Sequence, residues 1–230
     1  MPPIVLTPNG EADSAKKLGF QVVTKWAEVP KRAVVIRWGH SGGPQFRFEL
    51  NPQPAIKLNV DKYESKKKIA SVVRAPKLYH EGEKVTQHKC IVRPAHHAAG
   101  EGFSIKAPPF TVAAGHYASE ALTPSKEYRV WFDSDGYSLV GRRDPMTPEQ
   151  HKDALNDFPC RSLWGYVWID QPSEKLVQYT HAAAKALGLD FGAADFLLHD
   201  GKWYCLELNT APSLDHKRVI HFFGRFFQDL

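Results

Sequence analysis

The chain has 230 residues, of which 43% are hydrophobic and 12% aromatic, enough apolar material to build one compact domain or two small ones. A disordered or fibrous chain is thereby excluded. Thirty Lys and Arg against twenty-five Asp and Glu leave a net charge of +5, a mild excess that favours an anionic ligand but includes no basic block long enough to mark a DNA-binding arm.

Three cysteines, Cys90, Cys160 and Cys205, are too few and too scattered for a disulfide framework or a zinc knuckle, so a reducing compartment is expected. The N-terminus has no charged segment leading into an apolar run, and no stretch approaches the ~20 apolar residues that a bilayer requires. A cytoplasmic chain with no membrane partner follows as the expectation.

In chain order, residues 14–26 read as a short amphipathic helix, and Ala33 to Trp38 as a β-branched strand running into the loop Gly39-His40-Ser41-Gly42-Gly43-Pro44. Residues 1–60 thus form a short N-terminal α/β unit. From Asp61, a candidate N-cap, the composition is helical until Pro76, and Lys66-Lys67-Lys68 reads as a solvated helix face. Cys90 to Pro94 is a strand, followed by a small-residue turn from His96 to Gly102 and a return strand through Ile105. Glu127 to Phe132 and Tyr137 to Val140 flank Asp135-Gly136, a hairpin sequence because Asp-Gly tolerates the positive φ angles of a tight turn. Residues 173–187 are the best helix, with Gly188 just beyond its end. Two strands around Asp200-Gly201 close the series. Hairpins outnumber regular strand–helix–strand units, so the fold class is α+β.

Asp195 and Glu207 interrupt apolar strand sequences on this last hairpin, where an uncompensated charge is costly. If residues whose numbers sum to about 402 lie opposite one another, the two carboxylates share one sheet face, with Asn209 two residues further on the same side. Opposed like charges call for a cation, and three hard oxygen donors suit Mg²⁺. The same alternation also fits an ordinary edge hairpin with both carboxylates in solvent. Arg93, the Gly100 and Gly102 amides, Arg129 and Arg161 are candidate anion contacts, each equally readable as a surface residue. Arg37, His40 and Ser41 could touch a substrate or merely be exposed. His96 and His97 have no Cys partner at zinc spacing, and neither a Gly-x-Ser-x-Gly elbow nor a Walker phosphate loop occurs.

Together these residues resemble the ATP-grasp superfamily, and more closely its short phage-type and ribosomal-protein glutamate ligase-like members. The resemblance runs from about Trp38 to Leu214. Leu187 to Phe196 followed by Trp203 to Pro212 is similar to the family's GLDFGAVD…VLEVNTAPG signature, Glu127-Tyr128-Arg129-Val130 to its EYRV strand, and Leu58 to Lys62 to its NK element. The chain departs from the family in carrying Arg93 where many members have Lys, and in its very short N-terminal unit.

The resemblance implies a nucleotide clamped between a small subdomain with a glycine-containing lid, residues 61–115, and a central subdomain, residues 116–230. ATP would be held by Lys62, Arg93, Gly100, Gly102, Tyr117, Glu120 and Glu127, with the segment from Tyr117 to Leu122 lining the adenine. Mg²⁺ or Mn²⁺ would be held by Asp195, Glu207 and Asn209, and Arg129 and Arg161 would face the γ-phosphate or an acyl phosphate. The implied reaction is ATP-dependent joining of a small-molecule or peptide carboxylate to an amine. The alternatives are an ATP-grasp-like nucleotide-binding protein or phosphotransferase without ligase activity, and, less favoured, a nucleic-acid-associated protein.

Overall fold

The computed structural model describes residues 3–95, 102–123, 126–155, 161, 164–228 and 230. His96, His97, Gly100 and Cys160, named above, lie outside the described residues. Ile4-Val5-Leu6 and Val35-Ile36 are unbroken apolar runs, which suits strands covered on both faces. They form β1 (Ile4–Leu6) and β3 (Val35–Arg37) of a parallel four-stranded sheet completed by β2 (Gln21–Val23) and β4 (Glu49–Leu50), in the order β2-β1-β3-β4. The helix expected over 14–26 is α1 (Ala12–Lys16) alone: Gly19 turns the chain at φ 80°, and Val22 and Val23 join β2 instead.

Arg37 at the end of β3 is fully buried. Its Nε donates to Glu49 Oε2 at 2.7 Å, and its Nη atoms donate to the carbonyls of His40, Gly42 and Pro44. The loop after β3 is therefore wrapped around one guanidinium. Gly39, at φ 75°, brings that loop so close to Ala211 that a Cβ there would sit 2.9 Å from the Ala211 methyl.

The second layer contains α2 (Gln53–Val60), α3 (Lys62–Ala70), β5 (Leu78–Tyr79), β6 (Lys84–Val85), β7 (Cys90–Pro94), β8 (Ser104–Lys106), β9 (Phe110–Thr111) and β10 (His116–Glu120). Asp61 caps α3 as expected, its carboxylate accepting from the Glu64 N–H at 3.0 Å. The sheet order is β5-β10-β7-β8, with β6 and β9 paired separately. Residues 116–120 thus pair within this small sheet, although the boundary expected between residues 115 and 116 would assign them to the central unit. Buried Asn51 joins this layer to the next, donating through Nδ2 to the Phe191 carbonyl at 3.0 Å and accepting at Oδ1 from the Asp190 and Phe191 N–H groups.

The central layer comprises β11 (Lys126–Asp133), β12 (Ser138–Asp144), α4 (Pro148–Asp153), β13 (Gly165–Ile169), α5 (Glu174–Leu187), β14 (Phe191–His199), β15 (Lys202–Asn209) and α6 (Lys217–Gln228). Its antiparallel sheet runs β13-β12-β11-β14-β15. Val130, Phe132, Ala194 and Phe196 face α5 on one side; Trp131, Phe191 and Ala193 face Trp38 and the phenylalanines of α6 on the other. The α6 side of β11, β14 and β15 turns polar further along, at Glu127, Arg129, Asp195, Glu207 and Asn209. No helix among the described residues is long and apolar enough to cross a membrane.

Replacing Arg37 by Met leaves the buried Glu49 carboxylate without its counter-charge. A stability loss of about 3–5 kcal/mol is expected in urea unfolding, and an unchanged midpoint would contradict the wrapped-loop description.

Candidate functional site

The geometry of the last hairpin depends on one extra residue. Asp200 (φ 48°) and Gly201 (φ 68°) make the turn, which sets His199 opposite Lys202, Leu198 opposite Trp203 and Phe196 opposite Cys205. Continued unchanged, that register would put Asp195 opposite Leu206 and send Glu207 to the other face of the sheet. Instead the register shifts between Asp195 and Phe196, so that Asp195 faces Glu207 and Ala193 faces Asn209. Leu206 is the unpaired residue of a β-bulge. The pairing expected from a sum of 402 is right at the carboxylates, but the turn's own register is one lower, and the bulge makes up the difference.

Asp195 is buried and held by cations of the protein itself. Arg129 Nε and Nη2 donate to its two carboxylate oxygens at 2.7 Å each, Asn209 Nδ2 donates at 3.2 Å, and Arg143 Nη2 lies 3.9 Å away. Burial opposes the charged form, but Arg129 and Arg143 outweigh it and hold the Asp195 carboxyl below its ordinary value. Arg143 Nε also lies 3.0 Å from Glu127 Oε1, and its Nη1 donates to the Arg161 carbonyl at 2.6 Å. Glu127 is pushed up by burial and by Asp195, against Arg143, Arg161 and Arg129. The cation that balances Asp195 among the described residues is thus the protein's own Arg129, with Arg143. Arg129 is ion-paired to Asp195, and Glu127 faces Arg143.

Glu207 has a separate set of partners. Burial raises its carboxyl, yet Lys62 and Lys66, with Arg93, outweigh both burial and Asp195 and lower it overall. Lys62 and Lys66 are one helical turn apart on α3, so both ammonium groups reach the same side. Arg93 on β7 is register partner to Tyr117 on β10, which places them on one face of the small sheet. Burial pushes the Tyr117 phenol up to about 12. Glu120 lies on the other face of β10, with its carboxylate 3.4 Å from His88 Nδ1, apart from Tyr117 and Arg93. Gly102, at φ 67°, packs against Pro94, just before β8. Arg161 approaches the cluster through its carbonyl on Arg143 while its guanidinium lies over Trp164, 5.3 Å from the ring centroid.

Lys66 and Arg143 were absent from the expected set. Lys66 shares the run Lys66-Lys67-Lys68 that reads as a solvated face, but its four-residue spacing from Lys62 separates it from exposed Lys67 and Lys68. Arg143 was legible from the Asp135-Gly136 hairpin, whose register sets it directly opposite Glu127.

Because Asp195 titrates lower when folded, its stabilising contribution is present above the unfolded carboxylate pKa of about 3.9 and is lost as pH falls through the folded value. Arg129→Gln removes both bonds and leaves a buried carboxylate that prefers to be protonated. A loss of about 3–5 kcal/mol is expected at pH 7, shrinking towards pH 4 as Asp195 takes up a proton. A pH-independent loss in urea unfolding would contradict the ion pair.

No family profile and no curated protein matches the chain by sequence. Solved structures match it by shape. The D-alanine–D-alanine ligase of Bacillus anthracis superposes with a TM-score of 0.62 at 14% identity, over 93% of this chain and 88% of that one. The ATP-grasp ligase PsnB with minimal precursor, Mg and ADP gives 0.66 at 13% identity, over 98% and 97%. The L-amino acid ligase of Bacillus licheniformis gives 0.59 at 12% identity, over 98% and 70%. The chain has the α+β fold of the ATP-grasp ligases.

Proposed function

We propose that this chain is an ATP- and Mg²⁺-dependent ligase that activates a carboxylate and joins it to an amine. The observation that carries the reading is the opposition of Asp195 and Glu207 on one sheet face, with Asn209 beside them, between two banks of cations. Lys62, Lys66 and Arg93 stand on one side; Arg129 and Arg143 stand on the other. Such an arrangement suits a polyphosphate whose charge must be bound at one end and transferred at the other.

The donor set fits a hard divalent cation. Among the described residues no group of three His, Cys, Asp or Glu side chains could hold a metal, so the third donor would be the Asn209 amide oxygen, a ligand type that Mg²⁺ accepts. Glu207 makes no hydrogen bond among the described residues and is the open carboxylate of the pair; Asp195 would contribute once one of its oxygens is released by Arg129. The metal, when bound, would spread the charge of the phosphoryl group. Lys62 and Arg93 would bind phosphate oxygens, and Tyr117 would contact the nucleotide from the small sheet. Arg129 and Arg161 would orient the transferred group.

In the proposed reaction a substrate carboxylate oxygen attacks the γ-phosphorus as the bond to the β–γ bridging oxygen breaks, releasing ADP. The amine nitrogen then attacks the acyl carbon, the acyl C–O bond to phosphate breaks, and the nitrogen gives up a proton to the departing phosphate or solvent as the amide forms. The loop wrapped around Arg37 borders Ala211, just past β15, and is the proposed wall for the acid or amine. Similarity of fold to ligases with ADP and Mg supports this reading. The narrower assignment to the phage-type or ribosomal-protein glutamate ligase-like branch rests on the sequence motifs.

The test is ADP release over a panel of amino acids and peptides with hydroxylamine present. A ligase yields a hydroxamate, and Glu207→Gln should lower ADP release by at least about a hundredfold. Nucleotide turnover with no hydroxamate from any acid, or turnover unaffected by Glu207→Gln, would contradict the assignment.

A further inference from the structure

β15 is the edge strand of the central sheet, and its outer side is covered by the chain around α3. The Cys205 N–H donates to the Arg74 carbonyl at 2.9 Å, and Lys66 Nζ donates to the carbonyl of Leu206, the bulged residue. Two consecutive residues of the bulged strand are thus tied to the small-subdomain side. A bulge leaves backbone groups without a ladder partner, and unless something else satisfies them the strand gains by sliding back into register. Here that slide would turn Glu207 away from Asp195. Lys67 and Lys68, the next two residues of α3, are exposed and make no such bond.

We propose that Lys66 is a positioning residue: its ammonium on the Leu206 carbonyl holds the bulge, and so holds Glu207 on the face it shares with Asp195. The proposal rests on the reading of that face as a cation and nucleotide site only for its functional consequence; the structural part stands on the bulge itself. Lys66 also lies beside Glu207, and as a bare charge it would repel a divalent cation. The two roles predict opposite signs. Loss of the charge alone would strengthen cation binding, whereas release of the bulge would weaken it.

The experiment compares Lys66→Met, Lys66→Arg and Lys68→Met by two readouts. Peptide-level hydrogen exchange over residues 204–209 is measured in the free protein, and Mn²⁺ affinity is measured by electron paramagnetic resonance with a non-hydrolysable ATP analogue. Lys66→Met should lose protection over 204–209 and weaken Mn²⁺ about tenfold. Lys66→Arg, which keeps a donor, should restore both, and Lys68→Met, which removes the same charge from the same helix, should match the wild type. Unchanged protection together with equal or tighter Mn²⁺ binding in Lys66→Met overturns the proposal. A wild-type protein that binds no Mn²⁺ with the analogue contradicts the ligase reading, and the exchange result then decides the role of Lys66 alone.

Discussion

The placement of two carboxylates on one sheet face depends on a single unpaired residue, Leu206. A two-residue turn at Asp200-Gly201 dictates one register for the hairpin, and the charged residues require another. The bulge reconciles them. A strand has only two faces, so one inserted residue is sufficient to move Glu207 and Asn209 together to the side of Asp195. The rest of the site is arranged around that displacement: α3 and Arg74 cover the bulged edge, and Arg129 on the neighbouring strand β11 meets Asp195 in register.

Electrostatic balance follows from the same geometry. Asp195 sits within the sheet, where β11 and β12 deliver Arg129 and Arg143; Glu207 sits on the edge strand, where α3 and β7 deliver Lys62, Lys66 and Arg93. Each carboxylate is neutralised by cations from its own set of elements, so the protein can fold with buried Asp195 and half-buried Glu207 both ionised. The cations around Glu207 come from α3 and β7, and those around Asp195 from the central sheet.

Much of this was readable from residue order. The two Asp-Gly and Asp-Ser-Asp-Gly turns identified both central hairpins, Asp61 identified the start of α3, and Gly188 identified the end of α5. The carboxylate pair emerged because acids inside apolar strands demand an explanation. The bulge was not legible, since nothing in Cys205-Leu206-Glu207 distinguishes an inserted residue from a paired one until α3 supplies a partner for its carbonyl. Lys66 was hidden for a related reason: three adjacent lysines share a composition, and only the helix's placement against β15 separates the first from the others. α6 lies outside the expected elements, although it is legible in the helical spacing of Val219, Phe222, Phe223, Phe226 and Phe227. Glu120 and Glu127 show the converse limit. Glu127 lies in a motif that carries the family resemblance and Glu120 in the segment that the resemblance assigns to the adenine; strand alternation and pairing set Glu120 beside His88 and Glu127 beside Arg143.

The most direct test of the account is a calorimetric titration of the intact chain with ATP in the presence and absence of Mg²⁺. Opposed hard-oxygen donors between two cationic banks predict saturable binding at one site that tightens markedly when the cation is present. Absence of binding under both conditions, or equal affinity with and without Mg²⁺, would contradict it.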